Sequence, residues 1–269
     1  MTTKITFIGA GNMASSLAGG IIAKGYDPLH ITLTDVNDSQ LAQARSSLQV
    51  NTCRDNLSAC QKADVIVLAV KPQVMGDVIA PLKAIVSLRK PLIISIAAGI
   101  TLAKLEGWLG ADAAVVRCMP NTPALVEAGA TGLYANANVS PSQREQARAI
   151  MASVGLALWV ENEDQIDAVT ALSGSGPAYY FLVMEAMIAA GKAMGLSEQV
   201  ARQLTLQTAL GSAQMAITGS VEPAELRRRV TSPGGTTERA ISIMEQQGLR
   251  DTFLQALKGA YDRSKELAG

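Results

Sequence analysis

Two glycine-rich turns carry the residue types and spacings that could do chemistry. The first closes the segment Lys4–Ala14, where Gly9, Gly11 and Ala14 read as G-x-G-x-x-A. An apolar run, Ile5 to Ile8, leads in as a strand, and Ser15 to Lys24 reads as the helix that leads out. Gly9 permits a tight turn, and Gly11 lets a pyrophosphate approach the backbone. Ala14 lets helix and strand pack closely. The free N–H groups and positive dipole end of the helix would then face the phosphates. The second turn is Ser232-Pro233-Gly234-Gly235-Thr236-Thr237. Its glycines should leave backbone N–H groups free, and its threonines should cap the helix that follows. Together they predict an anion site with hydroxyl donors, formed by Ser232, Gly234, Gly235, Thr236 and Thr237. The bland alternative for each turn is a structural one.

Other chemistries find little support. His30 is the single histidine, and it precedes the second strand, away from the edge where ligands gather. Cys53, Cys60 and Cys118 form no C-x-x-C and have no partner histidine. Neither a metal site nor a cysteine nucleophile is expected. Oxidation of an alcohol needs a base for the hydroxyl proton. Lys192 is the one lysine considered for that task, and a helix-surface lysine is usually solvated. Reduction of a C=N bond asks for less. A protonated imine is already electrophilic, so the protein mainly holds it in place.

The elements that must position these turns follow from continuous apolar runs. Ile31–Thr34, Val65–Val70, Leu92–Ile96 and Ala114–Met119 read as strands two to five, with helical stretches such as Ser39–Ser47 between them. Unbroken Val/Ile runs suit a parallel sheet covered on both faces. Ala130–Ala135 and Leu156–Val160 read as further strands at one edge. The helix between them is announced by Ser140 as N-cap, Pro141 at N1 and Gln143 at N3. Ligands of such a sheet lie beyond the carboxyl ends of its strands. Those ends carry Gly9-Ala10-Gly11, Asp35, Lys71-Pro72, Ser95-Ile96-Ala97 and Pro120-Asn121-Thr122-Pro123. Asp35 stands where a Rossmann unit places the acid for the ribose hydroxyls; a turn aspartate is the alternative. Asn56, in the loop before the third strand, is a further cofactor candidate.

After about residue 160 no strand-like run follows. Residues 1–160 are therefore expected to form a dinucleotide-binding α/β domain, and 161–269 an all-helical domain. The helical stretches are Asp164–Leu172, Pro177–Met194, Ser197–Thr218, Pro223–Arg229 and Thr236–Leu267. The segment Ala168–Met184 is uncharged, but Ser173-Gly174-Ser175-Gly176-Pro177 makes it a helix–loop–helix rather than a membrane span. The run Tyr179-Tyr180-Phe181-Leu182-Val183-Met184 is apolar on all sides, so it must be covered on all sides. A homo-oligomer interface would provide that cover; a central helix within one subunit is the alternative. Lys+Arg and Asp+Glu both count 23, and aromatics are only 4%. That balance argues against a nucleic-acid partner. Free thiols and a first strand without a preceding leader point to the cytoplasm.

Read together, these motifs resemble pyrroline-5-carboxylate reductase, nearly end to end. The stretches that carry the likeness are Phe7–Met13, Ala69-Val70-Lys71-Pro72, Ser95–Gly99, Met119–Pro123, Ser173–Tyr179 and Ser232–Thr237. The resemblance implies a Rossmann domain and a helical domain that interlocks in a homodimer, often assembled further into a decamer. It implies hydride transfer from NAD(P)H to 1-pyrroline-5-carboxylate, giving L-proline as the last step of proline biosynthesis. By the same likeness Ile8, Gly9, Ala10, Gly11, Asn12, Met13, Asn56, Ala69, Val70, Lys71, Pro72, Ser95, Ile96 and Ala97 touch the cofactor. The Gly234–Thr237 loop would hold the substrate carboxylate, and the Thr237 hydroxyl would meet the ring nitrogen.

Two departures stand out. Relatives that favour NADPH tend to have Ser, Thr or Arg after the second strand, where this chain has Asp35-Val36-Asn37. A carboxylate near a 2′-phosphate costs roughly 1 kcal/mol in water and about 4 kcal/mol at a protein-like dielectric. A weakened NADP preference, with NADH used well, is therefore expected. The family often carries His-Pro-Gly ahead of the substrate loop, and here the residues are Glu222-Pro223-Ala224. The rival reading is an NAD(P)-dependent hydroxy-acid dehydrogenase or a related imine reductase. The dehydrogenase would want an Asn one turn after its lysine, and Lys192 is followed there by Leu196. A non-catalytic nucleotide sensor would not need the Ser232–Thr237 loop.

Overall fold

The computed structural model describes residues 3–268. Its first unit is built on one eight-stranded sheet: β1 (Ile5–Ile8), β2 (Ile31–Thr34), β3 (Asn51–Cys53), β4 (Val65–Leu68), β5 (Leu92–Ser95), β6 (Ala114–Met119), β7 (Gly129–Ala135) and β8 (Gly155–Trp159). The spatial order is β3-β2-β1-β4-β5-β6-β7-β8. All neighbours run parallel except β6 and β7. β1, β4 and β5 are buried at every position, because helices cover both faces. Leu17, Ile21, Leu33 and Met151 belong to one apolar cluster, and Met75, Ile79, Leu105 and Leu109 to a second. The helices here are α1 (Asn12–Ala23), α2 (Asp38–Leu48), α3 (Asn56–Cys60), α4 (Met75–Ile79), α5 (Lys83–Arg89), α6 (Leu102–Leu109), α7 (Pro141–Met151) and α8 (Gln165–Val169). α7 starts as its sequence requires: Ser140 and Gln143 exchange the two capping-box hydrogen bonds, with Pro141 at N1.

β3 is absent from the sequence expectation. Its residues are short, polar and half exposed, so they carry no apolar signature. A second difference concerns Ser173–Pro177. No open loop forms there. α8 runs into a π-helical turn, Thr170–Gly174, and then into α9 (Gly176–Ala193). The Ser175 amide reaches the Thr170 carbonyl at 2.8 Å, while the Thr170 and Ser173 hydroxyls donate to the Ile166 and Val169 carbonyls. Local hydroxyl-to-backbone bonds thus hold the glycine-rich stretch in a helical turn.

Compact packing divides the chain at Ser175/Gly176 rather than near 160. Ile166 and Asp167 are buried in the sheet unit, which explains why the residues up to Ser175 belong to it. The residues from Ala260 onward belong to the first unit as well. The second unit, Gly176–Gly259, contains α9, α10 (Glu198–Thr218), α11 (Pro223–Arg229), α12 (Thr236–Gln246) and the start of α13 (Leu249–Ala268). α12 and α13 replace the single helix expected over 236–267. Gly248, at φ 74°, breaks the run, as glycine commonly does where a helix ends left-handed. Few residues of this unit are buried. On α9 only Gly176 and Gly191 are, while Tyr180 is 70% exposed and Leu182 67%. Among the described residues no helix is long and apolar enough to cross a membrane.

Candidate active site

The carboxyl ends of β1, β2, β4 and β5 meet in one rim. The Gly9 amide donates to the Thr34 carbonyl at 2.9 Å, and the Ala69 amide to the Ile8 carbonyl at 2.8 Å. The Ile96 amide reaches the Leu68 carbonyl at 3.2 Å. These bonds bring Ile8–Met13, Asp35, Ala69–Pro72 and Ser95–Ala97 together. Gly9 has φ 104°, and a Cβ there would lie 2.7 Å from the Ala69 carbonyl oxygen. Only glycine fits that turn. Gly11 is the N-cap of α1. Its backbone is extended, no side chain caps the helix, and a Cβ there would meet nothing within 4 Å. Open space over uncapped helix N–H groups fits the pyrophosphate of a dinucleotide.

Asp35 is turned inward. One carboxylate oxygen accepts the Ala10 amide at 3.0 Å and the other the Asn37 amide at 2.9 Å. It braces the glycine turn against the end of β2, which spacing alone could not reveal. Asn56 is the first residue of α3, not part of a loop, and its Oδ1 accepts from the Thr34 hydroxyl at 2.5 Å. Ser95 is fully buried at the end of β5, and Ala97 nearly so.

Two groupings lie next to the rim: Asn121, expected at the end of the fifth strand but without its contacts, and a cluster around Arg117 that residue type and spacing did not single out. Asn121 holds the Ala130 amide at 2.8 Å through Oδ1 and donates from Nδ2 to the Ser173 carbonyl at 3.0 Å. Arg117, only 2% exposed within β6, donates to Glu163 at 2.9 Å and lies 3.8 Å from Asp167. Glu163 also accepts the Leu102 amide at 2.7 Å, at the start of α6. Asp167 accepts the Ser264 hydroxyl at 2.6 Å. The signal for this cluster was a lone charge inside an apolar strand, which requires buried partners.

The loop Ser232–Thr237 lies in the second unit. Gly234 has φ 70°, and the Gly235 amide closes a turn onto the Ser232 carbonyl at 3.0 Å. The cap of α12 is Gly235, without any side-chain hydrogen bond, so the expected threonine caps do not form. Instead Glu238 reaches back and takes the Gly234 amide at 2.7 Å. A carboxylate is thus already held at this helix start, as the local charge favours. Thr236 and Thr237 open α12, with Thr237 half-buried. Lys192 is paired with Glu198 at 2.8 Å on an exposed face. His30 sits in a short helical turn beside Asp27, ahead of β2. Burial pushes the Cys60 thiol up to about 12 and the Cys118 thiol higher still. Among the described residues no cluster of His, Cys, Asp or Glu could hold a metal.

Comparison with known proteins covers the chain from both sides. Residues 163–267 match the family model for pyrroline-5-carboxylate reductase dimerisation, and residues 4–99 that for NADP oxidoreductase, coenzyme F420-dependent. A pyrroline-5-carboxylate reductase of Pseudomonas aeruginosa is 55% identical over 99% of this chain and 97% of its own length. The solved structure of a pyrroline-5-carboxylate reductase from Coxiella burnetii superposes with a TM-score of 0.97 at 48% identity, covering 100% of both chains. That of the Plasmodium falciparum enzyme, with NADP bound, gives a TM-score of 0.87 at 31% identity over 99% of this chain and 98% of that one. The chain belongs to the pyrroline-5-carboxylate reductase family.

Proposed function

We propose that this chain reduces the C=N bond of 1-pyrroline-5-carboxylate to L-proline, the last step of proline biosynthesis. The reductant is NAD(P)H. The observation that carries this reading is the 55% identity to the Pseudomonas aeruginosa reductase over 99% of the chain, which spans both the glycine turn and the Ser232–Thr237 loop. A hydroxy-acid dehydrogenase is disfavoured by the ion pair that occupies Lys192.

NAD(P)H, when bound, supplies the hydride. The protein's share is placement. The uncapped start of α1, with Gly9, Ala10, Gly11, Asn12 and Met13, binds the pyrophosphate. Ala69–Pro72 and Ser95–Ala97 line the nicotinamide end, and Asn56 the adenosine side. At the start of α12 the amides of Thr236 and Thr237, with Gly234 and Gly235, hold the substrate carboxylate. Ser232 shapes that turn by accepting the Gly235 amide. Substrate displaces Glu238 from the Gly234 amide, exchanging one carboxylate for another. The Thr237 hydroxyl hydrogen-bonds the ring nitrogen and orients the imine. No side chain has to remove a proton from carbon.

NADH and NADPH both serve. The Asp35 charge is partly spent on two backbone amides, which lessens its repulsion of a 2′-phosphate. The exposed apolar side chains of α9 and α10, among them Tyr180, Phe181, Leu182, Leu204 and Leu210, support self-association as a homodimer; further assembly into a decamer is what the family resemblance implies. The protein works in the cytoplasm. Mixing it with pyrroline-5-carboxylate and either nicotinamide, and following absorbance, tests the reading; absence of turnover with both would refute it.

A further inference from the structure

β3 adds to the outer edge of β2 with Cys53 opposite Thr34. The first residue after each strand is Arg54 and Asp35 respectively, so both stand at the carboxyl edge where the adenosine end of a dinucleotide lies. Asp35 is engaged with the Ala10 and Asn37 amides. Arg54 is different. Its side chain is 65% exposed, and its guanidinium is steadied over the β2–α2 turn by two contacts. One is with the Asp38 carboxylate at 3.1 Å, the other with the Val36 carbonyl at 3.2 Å. A guanidinium has five N–H donors in a fixed fork. Those beyond these two contacts have no partner among the described residues. Of the nearby carboxylates, Asp38 is paired with Arg54. Asp55 is bound to the Leu57 and Ser58 amides and the Ser58 hydroxyl at the start of α3.

We propose that Arg54 is the residue by which this chain reads the adenosine ribose: its guanidinium takes the 2′-phosphate of NADP(H), while Asp35 serves as a brace of the glycine turn rather than as the ribose ligand. The proposal rests on the dinucleotide reading above. It also explains how a chain with an aspartate after β2 can still accept the phosphorylated cofactor. The fork geometry suits a phosphate, and the pre-set contacts to Val36 and Asp38 limit the ordering needed on binding.

Calorimetric titration with adenosine 2′,5′-bisphosphate and with 5′-AMP tests it without turnover. Arg54→Gln should weaken the bisphosphate roughly ten-fold and leave 5′-AMP within about two-fold. Arg54→Lys should fall between, because it keeps the charge and loses the fork. The wild-type preference for the bisphosphate should shrink as salt is raised. Arg54 is exposed, so circular dichroism should show both variants folded; if Arg54→Gln does not fold, Arg54→Lys carries the test alone. Equal losses for both nucleotides, or no loss for either, would overturn the assignment and leave the reductase reading standing. Failure of the wild-type protein to bind either nucleotide would overturn both.

Discussion

The Asn121 side chain donates to the Ser173 carbonyl at 3.0 Å, tying the loop after β6 to the π-helical turn. Its other end accepts the Ala130 amide at 2.8 Å. One short side chain therefore closes two backbone gaps, and both partners are half-buried. Asn121→Leu would leave an amide and a carbonyl without partners. A loss of roughly 2 kcal/mol or more is expected, seen as a fall in Tm of about 4–8 °C. Asn121→Asp keeps the Ala130 contact and should lose less. Equal, negligible shifts for both variants would show that water replaces the clamp.

Thr237→Ala removes a hydroxyl from the second residue of α12 without altering the uncapped helix start. A fall of about ten- to a hundred-fold in kcat/KM is expected, the range of one to two hydrogen-bond equivalents. Cofactor affinity, measured by fluorescence, should hold. Unchanged turnover would mean the hydroxyl is not needed.

The sheet was legible because its central strands are unbroken apolar runs, and burial on both faces demands them. β3 was not, since an edge strand of Asn51, Thr52 and Cys53 has nothing to bury. The glycine turn at Gly9 was readable from residue type alone: its φ admits only glycine. The direction of Asp35 was not, because a carboxylate near the end of β2 can face outward to a ribose or inward to an amide with the same spacing. The glycines at 174 and 176 read as a break, yet hydroxyl back-bonding and the Asn121 contact keep the segment helical. Gly248 could have been read correctly as the stop between α12 and α13, given the two glutamines before it and the amphipathic helices on either side.

Phe181 and Leu182 are 56% and 67% exposed on α9, side by side with Tyr180. The double change Phe181→Glu, Leu182→Glu should therefore be tolerated by the isolated second unit and block its burial against another copy. Analytical ultracentrifugation is expected to show a smaller species, accompanied by loss of turnover. A variant of unchanged sedimentation would place the interface elsewhere.

The thiols respond to alkali. Burial holds Cys60 up at about 12, from an ordinary value near 9, and raises Cys118 further. Both stay protonated in the folded chain while the unfolded chain ionises them from about pH 9 upward. The unfolded state then binds fewer protons, so stability is intact below that pH and falls as pH rises toward 12. Urea midpoints compared near neutrality and at high pH should show the decline, reduced in Cys60→Ala. In the native state an aromatic disulfide reagent should label Cys53 fast and leave the two buried thiols untouched.

Residues from Ala260 onward return to the first unit. There Ser264 supplies a hydroxyl to the buried Asp167 carboxylate, and Leu267 lies against Gly99. The unit that is translated first is therefore not finished first. Until the chain beyond residue 260 leaves the ribosome, Asp167 beside Arg117 lacks its hydroxyl donor and the Gly99 turn lacks its cover. Completion of the nucleotide unit waits on synthesis of the whole helical one, so a nascent chain halted anywhere within 176–259 would carry an unsealed nucleotide fold.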